Sequence, residues 1–235
     1  MNQVLLLLAP IALPVLAGLL GVILFFRRPA CLAWTACLGV LAASLLFFFG
    51  FMDHPVFSWH RPWLDHLSLD FRLNHFSSLL LCFVLLFQFS TTVYLVGCHR
   101  DIPRPAGFTV FLLVAFGAAS AVLLAGNLFV LLVGWEIFLV ARYLLIGSGG
   151  PAAEPTAHKA LLLGAAADFL MLFGLLLYTR ETGSWGLEQG LAVAASRKTF
   201  LAFFLIFLGA GAKSAFFPFH TWLPDAAAAL PIPGF

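Results

Sequence analysis

The sequence predicts an all-α fold, a polytopic bundle of about seven transmembrane helices with the last broken by proline and truncated. Three observations carry this. Of the 235 residues, 63% are hydrophobic and only 9% charged. The mean hydropathy is +1.05. The apolar residues gather into runs of about 20, the length that crosses a hydrocarbon core as a helix. A soluble domain of this composition would expose large apolar patches. Inside hydrocarbon only a helix or a closed barrel satisfies its own backbone, and unbroken runs of this length read as helices.

The runs fall at 3–26, 31–52, 76–97, 107–126, 127–147, 159–178 and 199–219. The first is too long and uninterrupted for a cleaved leader and lacks the small-residue cleavage pattern, so it reads as a retained span. Residues 107–147 are too long for one helix, and Gly126-Asn127 is the natural break. A short eighth helical piece is expected from His220 to Leu230. Residues 53–75 hold Trp59, Trp63, three aspartates and four histidines, an amphipathic and interfacial texture. The connections 98–106 and 148–158 are short and polar, and 179–198 carries Arg180, Glu181, Glu188, Arg197 and Lys198. No low-complexity tract or linker divides the chain, so one membrane domain is expected over 1–235, with three helices and a loop in 1–106.

The formal net charge is +2, and the basic residues are scattered between apolar runs, so nothing marks a nucleic-acid partner. Cys31, Cys37, Cys82 and Cys98 form no CxxC and sit in or beside apolar segments, as inert core thiols do. One side of the membrane would hold Arg27, Arg28, Arg100, Arg104, Arg142 and Lys159, the other Arg61, Arg72, Arg180, Arg197 and Lys198. That slight excess, with the Arg27-Arg28 pair, favours an outward-facing N-terminus.

Against this background two charges stand out, Glu136 in the run 127–147 and Lys213 in the run 199–219. An ionised side chain deep in a spanning segment costs about 2.5–3.5 kcal/mol or more, and such residues usually pair, face a wet interior or carry ions. If Glu136 and Lys213 are neighbours, a proton moving on one is felt by the other. A static interhelical ion pair is the simpler alternative. Tyr143, seven residues after Glu136, shares its face. Lys213 precedes Pro218, which has no N–H and leaves the Ser214 carbonyl without its helical donor. A lysine there can release its proton where an arginine could not, or it can snorkel to the interface. Asp168, central in 159–178, reads as a bundle-facing partner to a cation on another helix. Lys159 and Arg142 read alone as interfacial anchors, and His220 as either a proton relay or a cap on the broken helix. No dinucleotide or phosphate motif, cysteine cluster or in-span histidine pair marks a redox cofactor.

The run Gly134-Trp135-Glu136 through Tyr143-Leu144-Leu145-Ile146-Gly147 resembles the W-E-x(6)-Y-L-L-I-G helix of antiporter-like membrane subunits. Those subunits occur in proton-pumping NADH–quinone oxidoreductase (chain 5 type), Mrp-type Na⁺/H⁺ antiporters and membrane-bound hydrogenases. Lys213-Ser214-Ala215-Phe216-Phe217-Pro218 through Trp222-Leu223-Pro224-Asp225-Ala226 is similar to the family's K-S-A-x-x-P-x-x-x-W-L-P-D-A segment on its seventh helix. The likeness runs from about 60 to 231.

It implies that Glu136 and Lys213 are the proton-pathway pair, with Asp168, Lys159 and, as a further relay, His220 beside them. It implies no cofactor in this chain, with quinone, flavin and iron–sulfur clusters in partner subunits. The partners expected are other membrane subunits of a respiratory or antiporter complex and the lipid bilayer, in a bacterial inner membrane. Residues 107–235 then correspond to an incomplete first antiporter-like repeat. The chain departs from the family at Arg142, where a small residue is common, at Ala212, where glycine is usual, and in Asp225–Pro233, which carries an extra residue. Three readings follow. The first is a proton-translocating subunit of an NADH–quinone oxidoreductase-type complex; the second, an Mrp-type antiporter or inorganic-carbon uptake subunit; the third, a non-conducting scaffold.

Overall fold

The structure is a computed structural model that describes residues 3–25, 28–53, 56–64, 67–187 and 196–230. Arg27, Glu188 and the segment after Leu230, on which sequence expectations fell, lie outside them. The elements run α1 (Gln3–Phe25), α2 (Pro29–Asp53), β1 (Phe57–Leu64), β2 (Leu67–Leu73), α3 (His75–Cys98), α4 (Pro105–Leu123), α5 (Leu128–Gly147), α6 (Glu154–Thr182), α7 (Arg197–Lys213) and α8 (Trp222–Ala229). Helices α1 to α6 are long and apolar enough to cross a membrane. The seventh run is shorter than predicted: α7 has 17 residues and ends at Lys213 rather than 219.

Local chemistry sets the boundaries. Pro29 and Pro105 open α2 and α4, where the missing N–H costs nothing. Asn74 and Ser77 form a reciprocal capping box at the start of α3, and Ser196 and Thr199 do the same for α7. Asn127 caps α5, its Oδ1 accepting from Val130 N at 2.9 Å, so the break between the fourth and fifth spans falls at Gly126-Asn127. Gly183, with φ 68°, terminates α6 in the left-handed conformation that glycine adopts without steric cost.

The segment 53–75 is more ordered than its amphipathic texture suggests. β1 and β2 form an antiparallel hairpin in which Trp59 pairs with Phe71 and His60 with Asp70. Asp70 is its anchor. It meets His60 Nδ1, accepts from Ser68 Oγ at 2.8 Å and accepts from Asn127 Nδ2 at 2.8 Å. Gly126 N donates to Asp70 O at 2.7 Å, and a side chain at Gly126 would collide with Asp70 at 3.0 Å. His60, though exposed, is therefore tied through Asp70 into the joint between the hairpin and α5.

Helix pairing relies on small residues. A Cβ at Gly117 of α4 would lie 2.7 Å from both Ile11 O and Val15 Cγ2 of α1, and one at Gly39 of α2 would overlap Ala17. α6 and α7 meet the same way: Gly174 faces Ala202 O and Gly209 faces Ala167 O, at 2.8 and 2.6 Å for a would-be Cβ. Such close backbone approach supplies the dispersion contact that replaces hydrophobic driving force between helices in lipid. Phe83, Phe87, Phe169, Phe173, Phe200, Phe203 and Phe207 point outward, as lipid-facing side chains do. Of the four thiols Cys37 is buried, whereas Cys82 is exposed on α3 rather than in the core.

Candidate functional site

α7 ends inside the bundle. Phe216 N donates to Gly211 O at 2.8 Å and Ala215 N to Ala212 O at 3.3 Å, while Ala215 has φ 54°. This is a Schellman ending with alanine where glycine is usual, a backbone state that costs an L-residue about 1–2 kcal/mol. The helix therefore stops five residues before Pro218, by its own C-cap rather than by the proline. Lys213 is the last helical residue, so its ammonium sits at the negative end of the helix dipole.

That ending delivers Lys213 to Asp168. The ammonium is ion-paired with Asp168 Oδ1, the side chains being 11% and 7% exposed. Both carboxylate oxygens are otherwise without a hydrogen-bond donor among the described residues. The Lys213 ammonium also lies 5.2 Å from the Trp135 ring centroid. Asp168 thus meets a cation on another helix, as expected of it, and the direct ion pair of Lys213 is with Asp168 and not with Glu136. The reason is packing. Gly209 and Gly174 draw α7 onto α6, and Ala167, which Gly209 touches, immediately precedes Asp168.

Glu136 is exposed on the outer side of α5 and makes no ion pair within 4 Å among the described residues. Asp168 and Lys213 still act on it electrostatically. It stands beside the pair and outside it.

Lys159 is not linked to Asp168. Its Nζ donates to Asp225 Oδ2 at 2.7 Å and to Thr221 O at 3.3 Å, so it ties the start of α6 to α8. His220 is exposed and stacks on Phe217 at 5.6 Å, with no hydrogen bond to Lys213 among the described residues. Tyr143 turns its ring toward His158, edge to face at 5.6 Å, rather than toward Glu136.

Arg142 is the residue that sequence reasoning misplaced. It does not anchor at the membrane surface. Its Cζ lies 4.2 Å from the Trp222 ring centroid, its Nη2 donates to Ala160 O at 3.4 Å, and its Nε is buried without a partner. Gly164 makes the space, since a Cβ there would come 2.7 Å from Nη2. Trp222 in turn donates its indole N–H to Ala212 O at 3.3 Å, one residue before Lys213. Arg142 therefore does not count toward the loop charges used to orient the chain. The signal available beforehand was the helical spacing from Arg142 to Leu139 and Ile146, both buried.

Fold and site together define a multi-span helical membrane protein with an ion-paired charged centre at a helix end between its spans. Residues 125–235, just under half of the chain, match the family model described as NADH:quinone oxidoreductase/Mrp antiporter, TM. It is 34% identical over 186 residues to one of the Na(+)/H(+) antiporter subunits of Alkalihalophilus pseudofirmus, covering 75% of this chain and 22% of that protein. It is 30% identical over 240 residues to NAD(P)H-quinone oxidoreductase subunit 5, chloroplastic, of Mesostigma viride, covering 92% of this chain and 37% of that one. Among solved structures, a chain of the Mrp complex from Dietzia sp. DQ12-45-1b shares the fold with a TM-score of 0.82 at 22% identity, over 98% of this chain and 26% of that chain. The chain thus spans between 22% and 37% of the length of the two curated relatives.

Proposed function

We propose that this chain is an antiporter-like, proton-translocating membrane subunit working within a larger complex in the cell membrane of a bacterium. The observation that carries the reading is the buried Lys213–Asp168 pair at the C-cap of α7, with Glu136 in electrostatic reach. Ionisable groups within spanning helices usually mark an ion path, and a lysine can give up its proton where an arginine cannot. Lys213 is the proton-carrying group and alternates between its pair with Asp168 and the field of Glu136. Asp168 stabilises its charged form. Lys159, through Asp225, holds α8 against α6 and is a positioning residue; His220, exposed beside the end of α7, is the further relay.

Glu136 bears on partners. A carboxylate exposed at mid-span is costly against lipid, so a partner membrane helix covers it in the assembled state. The relatives named as quinone oxidoreductase subunits support a redox-driven complex in which quinone, flavin and iron–sulfur clusters are borne by other subunits. The likeness to a Na(+)/H(+) antiporter supports a second reading, an Mrp-type antiporter using the same pair. In the assembled complex, Lys213→Ala is expected to abolish ion movement in membrane vesicles while the complex still co-purifies. Undiminished movement in that variant sinks the proposal. Dependence of the flux on Na⁺ then separates the two readings.

A further inference from the structure

The pathway reading leaves one half-buried charge without a task. Arg142 is surrounded by side chains of the bundle, yet its Nε has no acceptor and its hydrogen bond to Ala160 O, at 3.4 Å, is long. A permanent cation so placed is expensive unless a counter-charge is near. On the opposing helix the acid that acts on Arg142 is Asp168, whose Oδ2 accepts nothing among the described residues. Gly164, the residue whose missing side chain admits the guanidinium, lies one helical turn before Asp168, a rise of about 6 Å. Two other charges face this carboxylate, Lys213 in direct contact and Glu136 from α5.

We infer that Arg142 is a standby counter-ion for Asp168: it holds the carboxylate's charge when Lys213 leaves the ion pair. The inference rests on the proposed function only for the reason Lys213 leaves; the coupling itself is a property of the buried charges. Without Arg142, departure or neutralisation of Lys213 strands an anion between α6 and α7, which opposes the step. With the Arg142 guanidinium lodged against Gly164, one turn before Asp168, the carboxylate keeps a cation on its own helix face throughout. Arginine suits the task because its guanidinium stays charged and offers a fork of donors to a carboxylate. The Trp222 ring holds that guanidinium over its face meanwhile, at a distance where the attraction is substantial. Arg142 is a positioning residue by this account, acting on ion movement through Asp168.

The test is a set of heat-stability measurements on the N-terminally tagged full chain, in native membranes solubilised in mild detergent. Lys213→Met and Arg142→Gln are compared singly and together. Each alone leaves Asp168 one cation, so each lowers the melting midpoint modestly. The pair leaves it none, and the expected drop is about twice the sum of the singles or more, because groups sharing a partner do not add. Arg142→Lys in place of Arg142→Gln restores most of the loss. With Asp168→Asn the same two substitutions cost no stability. Simple additivity, or an extra loss that persists with Asp168→Asn, overturns the inference. Should the double variant not accumulate, the triple with Asp168→Asn decides: its recovery supports the standby role and its absence overturns it. Normal ion movement with Lys213→Ala would sink the pathway reading and leave this stability coupling intact, so the two failures are distinguishable.

Discussion

The two halves of the bundle are held together differently. In α1 to α4 the helices approach through small residues, and the interior polar groups are neutral. Gln88 donates to Phe116 O at 3.1 Å, and Thr92 and Thr109 return their hydroxyls to their own helices. In α5 to α8 the same close approach is present at Gly174 and Gly209, yet charge contacts are added, among them Lys213 with Asp168 and Trp135, Arg142 with Trp222, Lys159 with Asp225 and Lys198 with Glu181. The first half shows that this kind of helix packing needs no charge to be complete. The charges of the second half are therefore surplus to the fold, and a buried ion pair is in any case a poor source of stability compared with apolar packing. Charges that packing does not require support the ion path proposed above.

That contrast can be broken most forcefully at Asp168. Asp168→Asn leaves Lys213 as a buried cation without its carboxylate, and a loss of about 3–5 kcal/mol is expected. Adding Lys213→Met should recover much of it, measured as the heat stability of the solubilised chain. If Asp168→Asn is silent, the second half is held like the first. The counterpart in the first half is Gly117→Leu, which forces a side chain against Ile11 O and Val15. Overpacking of this kind costs about 1–3 kcal/mol, and it should weaken the α1–α4 contact without altering ion movement. Impaired movement in a stably assembled Gly117→Leu variant would blur the distinction between the halves.

A smaller effect is expected at the joint between hairpin and bundle. Asn127→Ala removes the cap of α5 and the donor to Asp70 and Ser68 O, each of those two contacts being 2.8 Å. The cap alone is worth about 1 kcal/mol, and protease cleavage within the hairpin should rise more than cleavage elsewhere. The smallest is Lys159→Ala. The Lys159–Asp225 pair is 41% and 49% exposed and open to screening by salt. Its loss should cost at most about 1 kcal/mol and vanish at high ionic strength; a larger, salt-independent cost would make it part of the buried network.

Much of this was legible in the sequence. Hydropathy located α1 to α6, and the Gly126-Asn127 break followed from a run too long for one helix together with a good capping residue. The likeness around Trp135-Glu136 and Lys213–Ala226 pointed to the family. The hairpin was not legible: Pro62 and the absence of a two-residue glycine turn argue against a strand pair. It forms because β2 is fastened to α5 through Asp70 and Gly126, a contact made by residues far apart in the chain. Arg142 was misread because nearness to a helix end suggests snorkelling, and only the room beside Gly164 turns it inward. The end of α7 was placed at the proline, whereas the C-cap at Ser214 and Ala215 stops it earlier.

By itself the sequence determined which segments cross the membrane and which of them carry charge, because transfer free energies accumulate along a segment without reference to any neighbour. Only the tertiary structure decided the partners: Lys213 with Asp168 rather than Glu136, Arg142 with Trp222, Lys159 with Asp225. A partner depends on how each helix is rotated about its axis, about 100° per residue. That rotation is set where glycines let two backbones touch.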